Sequence, residues 1–319
     1  MQNPESNQLD QMAKTLKETS FPKQIEVEAV YGCNLSCIMC PLSTMKREPH
    51  GIGPTGVRAI MDLGLYKKIC QEIGEKGQEV ETQLWLPLMG ELFLIGEKSL
   101  EYIKIAKDMK VPKVIVNSNG TVMTEKIADG ILALGLDDIY FGVDAKKQET
   151  YQKIRRNGNL ETVEKNISYL LKRKKELGLK KPNIYLQFIV MPENYQEEEA
   201  FKNFWLEKGA FVKTRRKLGW GPTFKAENLN LPQSARQFPC PWLIRQMQIQ
   251  QDGRVSQCDT DYECAYPAGD ITRQTIEEVW QGELKKRRDQ QWANDFSHPL
   301  CQDCLDWQVG LSKFYQPNQ

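Results

Sequence analysis

What this 319-residue sequence lacks narrows its function before any motif does. It carries no excess charge of either sign: Lys plus Arg number 43, Asp plus Glu 42, and the formal net charge is +1. Such a balance creates no general attraction to nucleic acid or to an anionic membrane. No apolar run is long enough to span a bilayer, and the opening Met1-Gln-Asn-Pro-Glu-Ser-Asn-Gln-Leu-Asp10 has neither the basic nor the apolar region of a signal peptide. The expectation is a cytoplasmic protein with no membrane or nucleic-acid partner. In a reducing compartment, nine cysteines point to metal or redox chemistry and away from disulfides. They are spread unevenly, with three at 33–40, a lone Cys70 and five from Cys240 onward. Cys70, beside Ile69 and Ile73 on a helical stretch, reads as a core thiol.

The trio in Tyr31-Gly-Cys33-Asn-Leu-Ser-Cys37-Ile-Met-Cys40 also lacks something, a fourth cysteine nearby. It follows an alternating extended segment at 24–30, so the loop sits at a strand's carboxyl end, where α/β folds place their active sites. An odd trio cannot form a disulfide framework, and tetrahedral zinc is more often built from paired C-x2-C units. A 4Fe–4S cluster takes one thiolate per iron, so three thiolates leave one iron open for chemistry.

With Met39 as the apolar residue before the last cysteine, C-x3-C-x-Φ-C resembles the signature of the radical S-adenosylmethionine (radical SAM) superfamily. The resemblance implies that the open iron chelates the amino and carboxylate groups of SAM, and that an electron from the cluster cleaves it to methionine and a 5′-deoxyadenosyl radical. The protein's share is binding, orientation and exclusion of side reactions. Helix-like periodicity at 56–73, 99–109, 125–134, 160–177 and 197–208 alternates with strand-like runs at 82–88, 113–116, 138–143, 183–190 and 210–214. Repeated βα units imply a parallel sheet with right-handed crossovers. Six of them match the family's partial (β/α)6 barrel, although spacing alone does not separate that from a full barrel or an open sheet.

Successive strand ends carry further likenesses. Met89-Gly90-Glu91 resembles the family's Gly-Gly-Glu, which binds the SAM amino group, with Met89 in place of the first glycine. Ser118-Asn119-Gly120 resembles its Thr-Asn-Gly. Gly142-Val143-Asp144 stands where relatives often carry Ser-Ile-Asp near the ribose, so the serine contact is lost and Asp144 remains. Arg155, in Tyr151-Gln-Lys-Ile-Arg155, matches an arginine that pairs with the SAM carboxylate, a task suited to guanidinium. Met39, Gly90, Glu91, Ser118, Asn119, Asp144 and Arg155 are therefore the implied SAM contacts. The stretch 46–56 reads as a mobile flap or an ordinary loop.

Past a polar linker at 223–238 the composition changes. An alternating segment at 246–250, a turn at Asp252-Gly253 and a second strand ending at Cys258 read as a β-hairpin, followed by a helical stretch at 276–288 and Cys301-Gln-Asp-Cys304. This set resembles the twitch form of the SPASM/twitch extension, since the full SPASM pattern needs more cysteines than are available. It implies that Cys240, Cys258, Cys301 and Cys304 ligate an auxiliary 4Fe–4S cluster, with structural zinc as the rival. Cys264 is left over as a ligand alternative, a plain thiol or a hydrogen-atom donor to a substrate radical. The basic 213–217 run either holds an anionic substrate or is a solvated face.

The expected organisation is an arm at 1–22, a barrel at 23–222, the linker, and an auxiliary-cluster domain at 239–319 with a β-hairpin and helix. The expected activity is hydrogen abstraction from an unactivated C–H bond, using SAM, two 4Fe–4S clusters and an external electron donor such as flavodoxin or ferredoxin. A ribosomally made peptide is preferred as substrate, undergoing oxidation, crosslinking, epimerisation or backbone cleavage, with a separate recognition protein as partner. The alternatives are an aminocyclitol or aminosugar dehydrogenase or epimerase and, from another class, a non-enzymatic electron-transfer protein.

Overall fold

The strands of the barrel alternate sides residue by residue, and this alternation separates an apolar shell from a polar interior. In β1 (Gln24–Val27) Ile25 and Val27 are buried in the core, while Gln24 and Glu26 line a central cavity. The same holds for Gln83 and Trp85 of β2 (Gln83–Leu86), Lys113, Ile115 and Asn117 of β3 (Lys113–Ser118), and Tyr140 and Gly142 of β4 (Asp138–Gly142). Gln187 and Ile189 of β5 (Asn183–Val190) and Lys213 and Arg215 of β6 (Phe211–Arg216) complete the inner wall. Positions facing the other way, such as Leu84, Val116, Phe141, Phe188 and Val212, pack into one core with the helices. Each large apolar side chain so buried contributes about 1.5–3 kcal/mol. The computed structural model describes residues 13–14, 16–43, 56–221, 223–224, 229, 236–310 and 312–317. Most of the flap at 46–56, much of the linker at 223–238 and most of the arm lie outside the described residues.

Helices α1 (Leu63–Lys76), α2 (Ser99–Asp108), α3 (Glu125–Ala133), α4 (Leu160–Glu176) and α5 (Glu198–Glu207) connect the parallel strands. Asp62, Thr124 and Asn159 cap α1, α3 and α4 by accepting from backbone N–H groups of the first turn. The helical pattern expected from residue 56 begins only at Leu63, because Ala59–Ile60 pairs antiparallel with Val30–Tyr31 before the Asp62 cap. The α/β partial barrel is the fold expected from the sequence.

The extension lengthens this sheet. After α6 (Pro241–Arg245), β7 (Gln246–Ile249) pairs parallel with β1, in register from Gln24↔Gln246 to Val27↔Ile249. Strand β8 (Arg254–Ser256) completes the hairpin, followed by β9 (Gly269–Asp270). The helical stretch expected at 276–288 is two helices, α7 (Ile276–Gln281) and α8 (Glu283–Trp292), broken by non-helical backbone at Gly282. At the opposite edge, β10 (Lys313–Tyr315) pairs antiparallel with β6. The result is a ten-stranded sheet in the order β9-β8-β7-β1-β2-β3-β4-β5-β6-β10. The end of the N-terminal arm packs on the extension: the Trp280 indole donates to the Thr19 carbonyl at 2.9 Å and the Trp292 indole to Glu18 at 2.7 Å. Among the described residues no helix is long and apolar enough to cross a membrane.

Candidate active site and its two cysteine sets

The cysteine loop is gripped from two sides. Ser36–Cys37 pairs antiparallel with Arg155–Arg156, and Ile38 N–H donates to the Ile154 carbonyl at 3.0 Å. On the other side Gly32 exchanges backbone bonds with the loop after β2, donating to the Met89 carbonyl at 3.2 Å and accepting from Glu91 N–H at 2.9 Å. That crossing is too tight for a side chain at Gly90, whose Cβ would lie 2.0 Å from the Val30 carbonyl oxygen. The expected SAM residue Gly90 thus has a close-packing role of its own.

Cys33, Cys37 and Cys40, with Met39, Gly90 and Glu91, line one end of a cavity of about 540 Å³. Burial, assisted by Glu91, pushes the Cys33 thiol up to about 12, and burial beside Cys37 does the same to Cys40. Cationic iron reverses that cost by binding the thiolates. Leu35 N–H lies 3.4 Å from Cys33 Sγ, Asn119 Nδ2 3.6 Å from the same sulfur, and Arg155 Nη1 3.9 Å from Cys37 Sγ. Three thiols with N–H donors at one end of a roomy cavity fit a cluster with one iron left for SAM.

Glu91 joins two strand ends. Its buried carboxylate accepts from Ser118 Oγ at 3.0 Å, Asn119 N–H at 2.6 Å and Phe93 N–H at 3.2 Å, and burial raises it to about 7. Asn119 reaches on to Asn34 Oδ1 at 3.0 Å. Glu91, Ser118 and Asn119 therefore stand together on the cavity wall. Arg155 also faces the cavity, but its Nε and Nη2 donate to one oxygen of Asp144 at 2.9 and 2.5 Å. Asp144, expected beside a ribose, is placed inside the wall: it is fully buried, and its other oxygen accepts from Ile189 N–H at 2.6 Å. The glycine that replaces the family's serine makes room for this pair, because a Cβ on Gly142 would lie 2.3 Å from Arg155 Nη2.

Cys240, Cys258, Cys301 and Cys304 line one small enclosure with Leu218, Trp242, Asp259 and Trp307. Burial raises Cys258, and Cys301, Cys240 and Cys304 each add to the rise. Gln257 and Gln291 each direct Nε2 to Cys301 Sγ at 3.3 Å, and Thr260 Oγ1 lies 2.9 Å from Cys258 Sγ. Gln291 also accepts from Cys240 N–H at 2.8 Å and Arg236 at 2.6 Å, fixing its amide. Four converging thiols with amide donors fit a fully ligated cluster. Among the described residues no three His, Cys, Asp or Glu side chains stand close enough to share a single metal ion. Cys264 lines neither the enclosure nor the cavity; it lies buried in a turn, φ 52°, with its N–H donating to the Asp261 carbonyl.

Asp306 ties the extension to the barrel by accepting from Gly219 N–H at 2.6 Å and Gly221 N–H at 3.0 Å, and the Trp220 indole between them donates to the Met39 carbonyl at 2.9 Å. Leu218, Trp242 and Asp259 wall both the cavity and the enclosure. Sequence reasoning missed Asn34, Trp220, Trp242, Asp259 and Asp306 as site residues; the one available signal was the density of aromatic and acidic residues beside the later cysteines. It also missed the polar inner wall, which polar residues on one face of a strand, Gln24 with Glu26 two apart and Lys113 with Asn117 four apart, would have revealed.

Comparison with known proteins matches residues 27–204 to the radical SAM superfamily and 240–305 to the SPASM iron–sulfur cluster-binding domain. A tungsten-containing aldehyde ferredoxin oxidoreductase cofactor-modifying protein of Pyrococcus furiosus is 26% identical over 190 residues, 59% of this chain and 49% of that protein. A probable GTP 3′,8-cyclase of Methanococcus maripaludis is 24% identical over 199 residues, 62% of this chain and 60% of its own length. The chain thus spans about half to three-fifths of these curated relatives. Among solved structures, BtrN in complex with AdoMet and 2-DOIA has a TM-score of 0.59 at 15% identity, covering 90% of this chain and 94% of that one. SuiB of Streptococcus suis bound to precursor peptide SuiA has a TM-score of 0.64 at 10% identity, covering 95% and 74%. These two likenesses concern the fold. The family matches agree with the geometry of both cysteine sets, and the chain belongs to the radical SAM superfamily, with a SPASM/twitch iron–sulfur extension.

Proposed function

We propose that this enzyme oxidises its substrate by two electrons, with the C–H bond to be broken held in the central cavity between the two cysteine sets. The observation that carries this reading is the shared partition, because Leu218, Trp242 and Asp259 face the cavity on one side and the four later cysteines on the other. When bound, SAM and a cluster held by Cys33, Cys37 and Cys40 would supply a 5′-deoxyadenosyl radical for hydrogen-atom abstraction, and a 4Fe–4S cluster held by Cys240, Cys258, Cys301 and Cys304 would take up the second electron as a proton leaves the substrate. Glu91 offers a carboxylate to the SAM amino group, held in place by Ser118 and Asn119. Arg155, braced by Asp144, presents its guanidinium beside Cys37 toward the SAM carboxylate. Tethering by Trp220 keeps the cysteine loop against the extension, which restricts water at the reacting end.

A peptide side chain is the first candidate occupant. This rests on the fold shared with a protein solved with its precursor peptide and implies a recognition partner. A small polyol is the second, favoured by the polar inner wall and by the likeness to a structure holding 2-DOIA across nearly its whole length. Flavodoxin or ferredoxin would supply the initiating electron. The test is anaerobic reconstitution, iron and sulfide analysis, then reductant and SAM. About eight irons per chain, two cubanes, and release of 5′-deoxyadenosine are expected. About four irons, or zinc in the extension, defeats the two-cluster reading. Mass spectrometry of peptides encoded beside the gene, against aminocyclitols, separates the substrates by which one loses two hydrogens.

A further inference from the structure

Most of the cationic side chains held inside this protein spend their donors on partners. Arg155 is tied to Asp144, Arg236 to the Gln291 amide, Arg287 to Glu283 and Gln257, and Arg288 to Glu18 and the Trp280 carbonyl. Four on the cavity wall, Lys213, Arg215, Lys217 and Arg245, have no carboxylate in ion-pair range among the described residues, and the first, second and last of them act on one another. Lys213 lies near two ring faces, Tyr140 at 5.3 Å and Phe314 at 5.5 Å, and has no hydrogen-bond or ion-pair partner among the described residues. Arg245 lies 5.5 Å from the Trp242 ring and likewise has neither. Arg215 gives Nε to Gln187 at 3.3 Å and Nη1 to the Arg216 carbonyl at 3.1 Å, with no carboxylate in ion-pair range among the described residues.

Two carboxylates stand close by, and glutamines rather than these cations satisfy them. Glu26 accepts from Gln24 at 2.6 Å and from Gln248 at 3.5 Å, while Asp259 accepts from Gln246 at 3.1 Å and from the same Gln248 amide. The cations also oppose one another: burial first, then Arg215 and Arg245, push the Lys213 ammonium down to about 7. Grouping cations without carboxylate partners is costly where they are half-buried, as Lys213 and Arg215 are beside the more exposed Arg245, and an anion placed among them lowers the cost.

We propose that the substrate carries an oxyanion, a carboxylate or a phosphate ester, that docks among Lys213, Arg215 and Arg245, while Glu26 and Asp259 accept from its neighbouring hydroxyl or amino groups. This deepens the reading above and rests on the cavity being the substrate's space. The donor-rich fork of an arginine beside a lysine suits either group. Lys213 and Arg215 stand on β6 and Arg245 ends α6, so the anchor is shared between the barrel's last strand and the extension, on the wall of the same cavity that the cysteine trio lines.

Sulfate and acetate stand in for the two groups, each titrated calorimetrically at constant ionic strength into the reconstituted full chain. At least one is expected to show a saturable site, weakened about tenfold or more by Lys213→Met and by Arg245→Gln and retained by Lys213→Arg. Tighter sulfate supports a phosphate ester, and tighter acetate supports a carboxylate. Sulfate binding should also weaken as pH rises through about 7, where Lys213, faced by Arg215, Arg245, Glu26, Asp259 and Tyr140, loses its proton. No saturable site for either ion, or sites unmoved by both charge-removing variants, overturns the proposal. The variants lie on different elements, so misfolding of one, seen as lost iron, leaves the other to decide. Release of 5′-deoxyadenosine is scored separately: its absence with intact anion binding defeats the radical reading alone, and its presence without anion binding defeats this proposal alone.

Discussion

The thiols of Cys33, Cys37 and Cys40 come from one loop and face a cavity of about 540 Å³, whereas those of Cys240, Cys258, Cys301 and Cys304 come from three chain segments and face a small enclosure of their own. The first set depends on local turns and on the short pairing with Arg155–Arg156. The second cannot assemble until α6, the hairpin and the closing loop have come together. A local, open set suits chemistry at an exposed iron, and a nonlocal, closed set suits electron storage and structural support.

The largest effect should come from removing the local set. Replacing Cys33, Cys37 and Cys40 with Ala is expected to abolish 5′-deoxyadenosine formation while about half the iron remains on the extension. Retained SAM cleavage would erase the distinction between the two sets. Replacing Cys301 and Cys304 should produce the complementary loss: about half the iron goes, product formation stops, and some uncoupled SAM cleavage survives. Because β7 pairs with β1 and Asp306 holds the loop after β6, this variant should also loosen the barrel edge, measured as faster amide exchange across 246–256. Unchanged exchange would show that metal contributes nothing to that region's folding.

The barrel was legible because each unit repeats a local pattern, apolar alternation followed by a capped amphipathic helix. Strand β5, at 183–190, was expected with the bounds observed. The ten-stranded sheet was not, because β7 joins β1 across more than two hundred residues and no local pattern encodes which edge a hairpin seeks. The same limit governs the site. Cysteine spacing exposed the local trio, and the basic run at 213–217 was visible as charge. Which of its members face inward depends on strand phase, which places Lys213 and Arg215 on the cavity and Thr214 in the wall. Glu26, Arg245 and Asp259 meet only through tertiary packing. Arg155 and Asp144 were each singled out, but their bond to each other is a property of the fold.

Smaller effects sharpen the open end of the comparison. Glu91→Ala should weaken SAM binding by roughly 1.5–3 kcal/mol, the scale of a charge-assisted hydrogen bond. Burial holds this carboxyl near 7, so at lower pH it is protonated and accepts poorly; SAM binding should tighten as pH rises through about 7, and Glu91→Gln should remove that dependence. An unchanged dissociation constant in both variants would detach Glu91 from SAM. Gly142→Ser restores the family's residue, yet its Cβ would lie 2.3 Å from Arg155 Nη2. Moving the guanidinium off Asp144 should cost about 1–3 kcal/mol of stability, read as a lower denaturant midpoint, and a variant as stable as the parent would show that the wall has slack there.

The smallest effect is expected at Cys264, the cysteine that belongs to neither set. Its residue is buried, lines neither space, and has a left-handed backbone, φ 52°, in the turn held by Asp261. Four thiols already supply one ligand for each iron of a cubane, so Cys264→Ala should leave iron content unchanged. Its cost is the lost thiol packing, about 1 kcal/mol, and Cys264→Gly should recover part of it because glycine adopts this backbone without strain. Product yield decides whether the thiol does more. A hydrogen donor must meet the substrate radical, so its removal would leave SAM cleavage intact and replace a quenched product with an oxidised or scrambled one. Wild-type product at an unchanged rate in Cys264→Ala is the outcome that the observed placement predicts; a switch of product in deuterated water would require the turn at 259–264 to open onto the cavity during turnover.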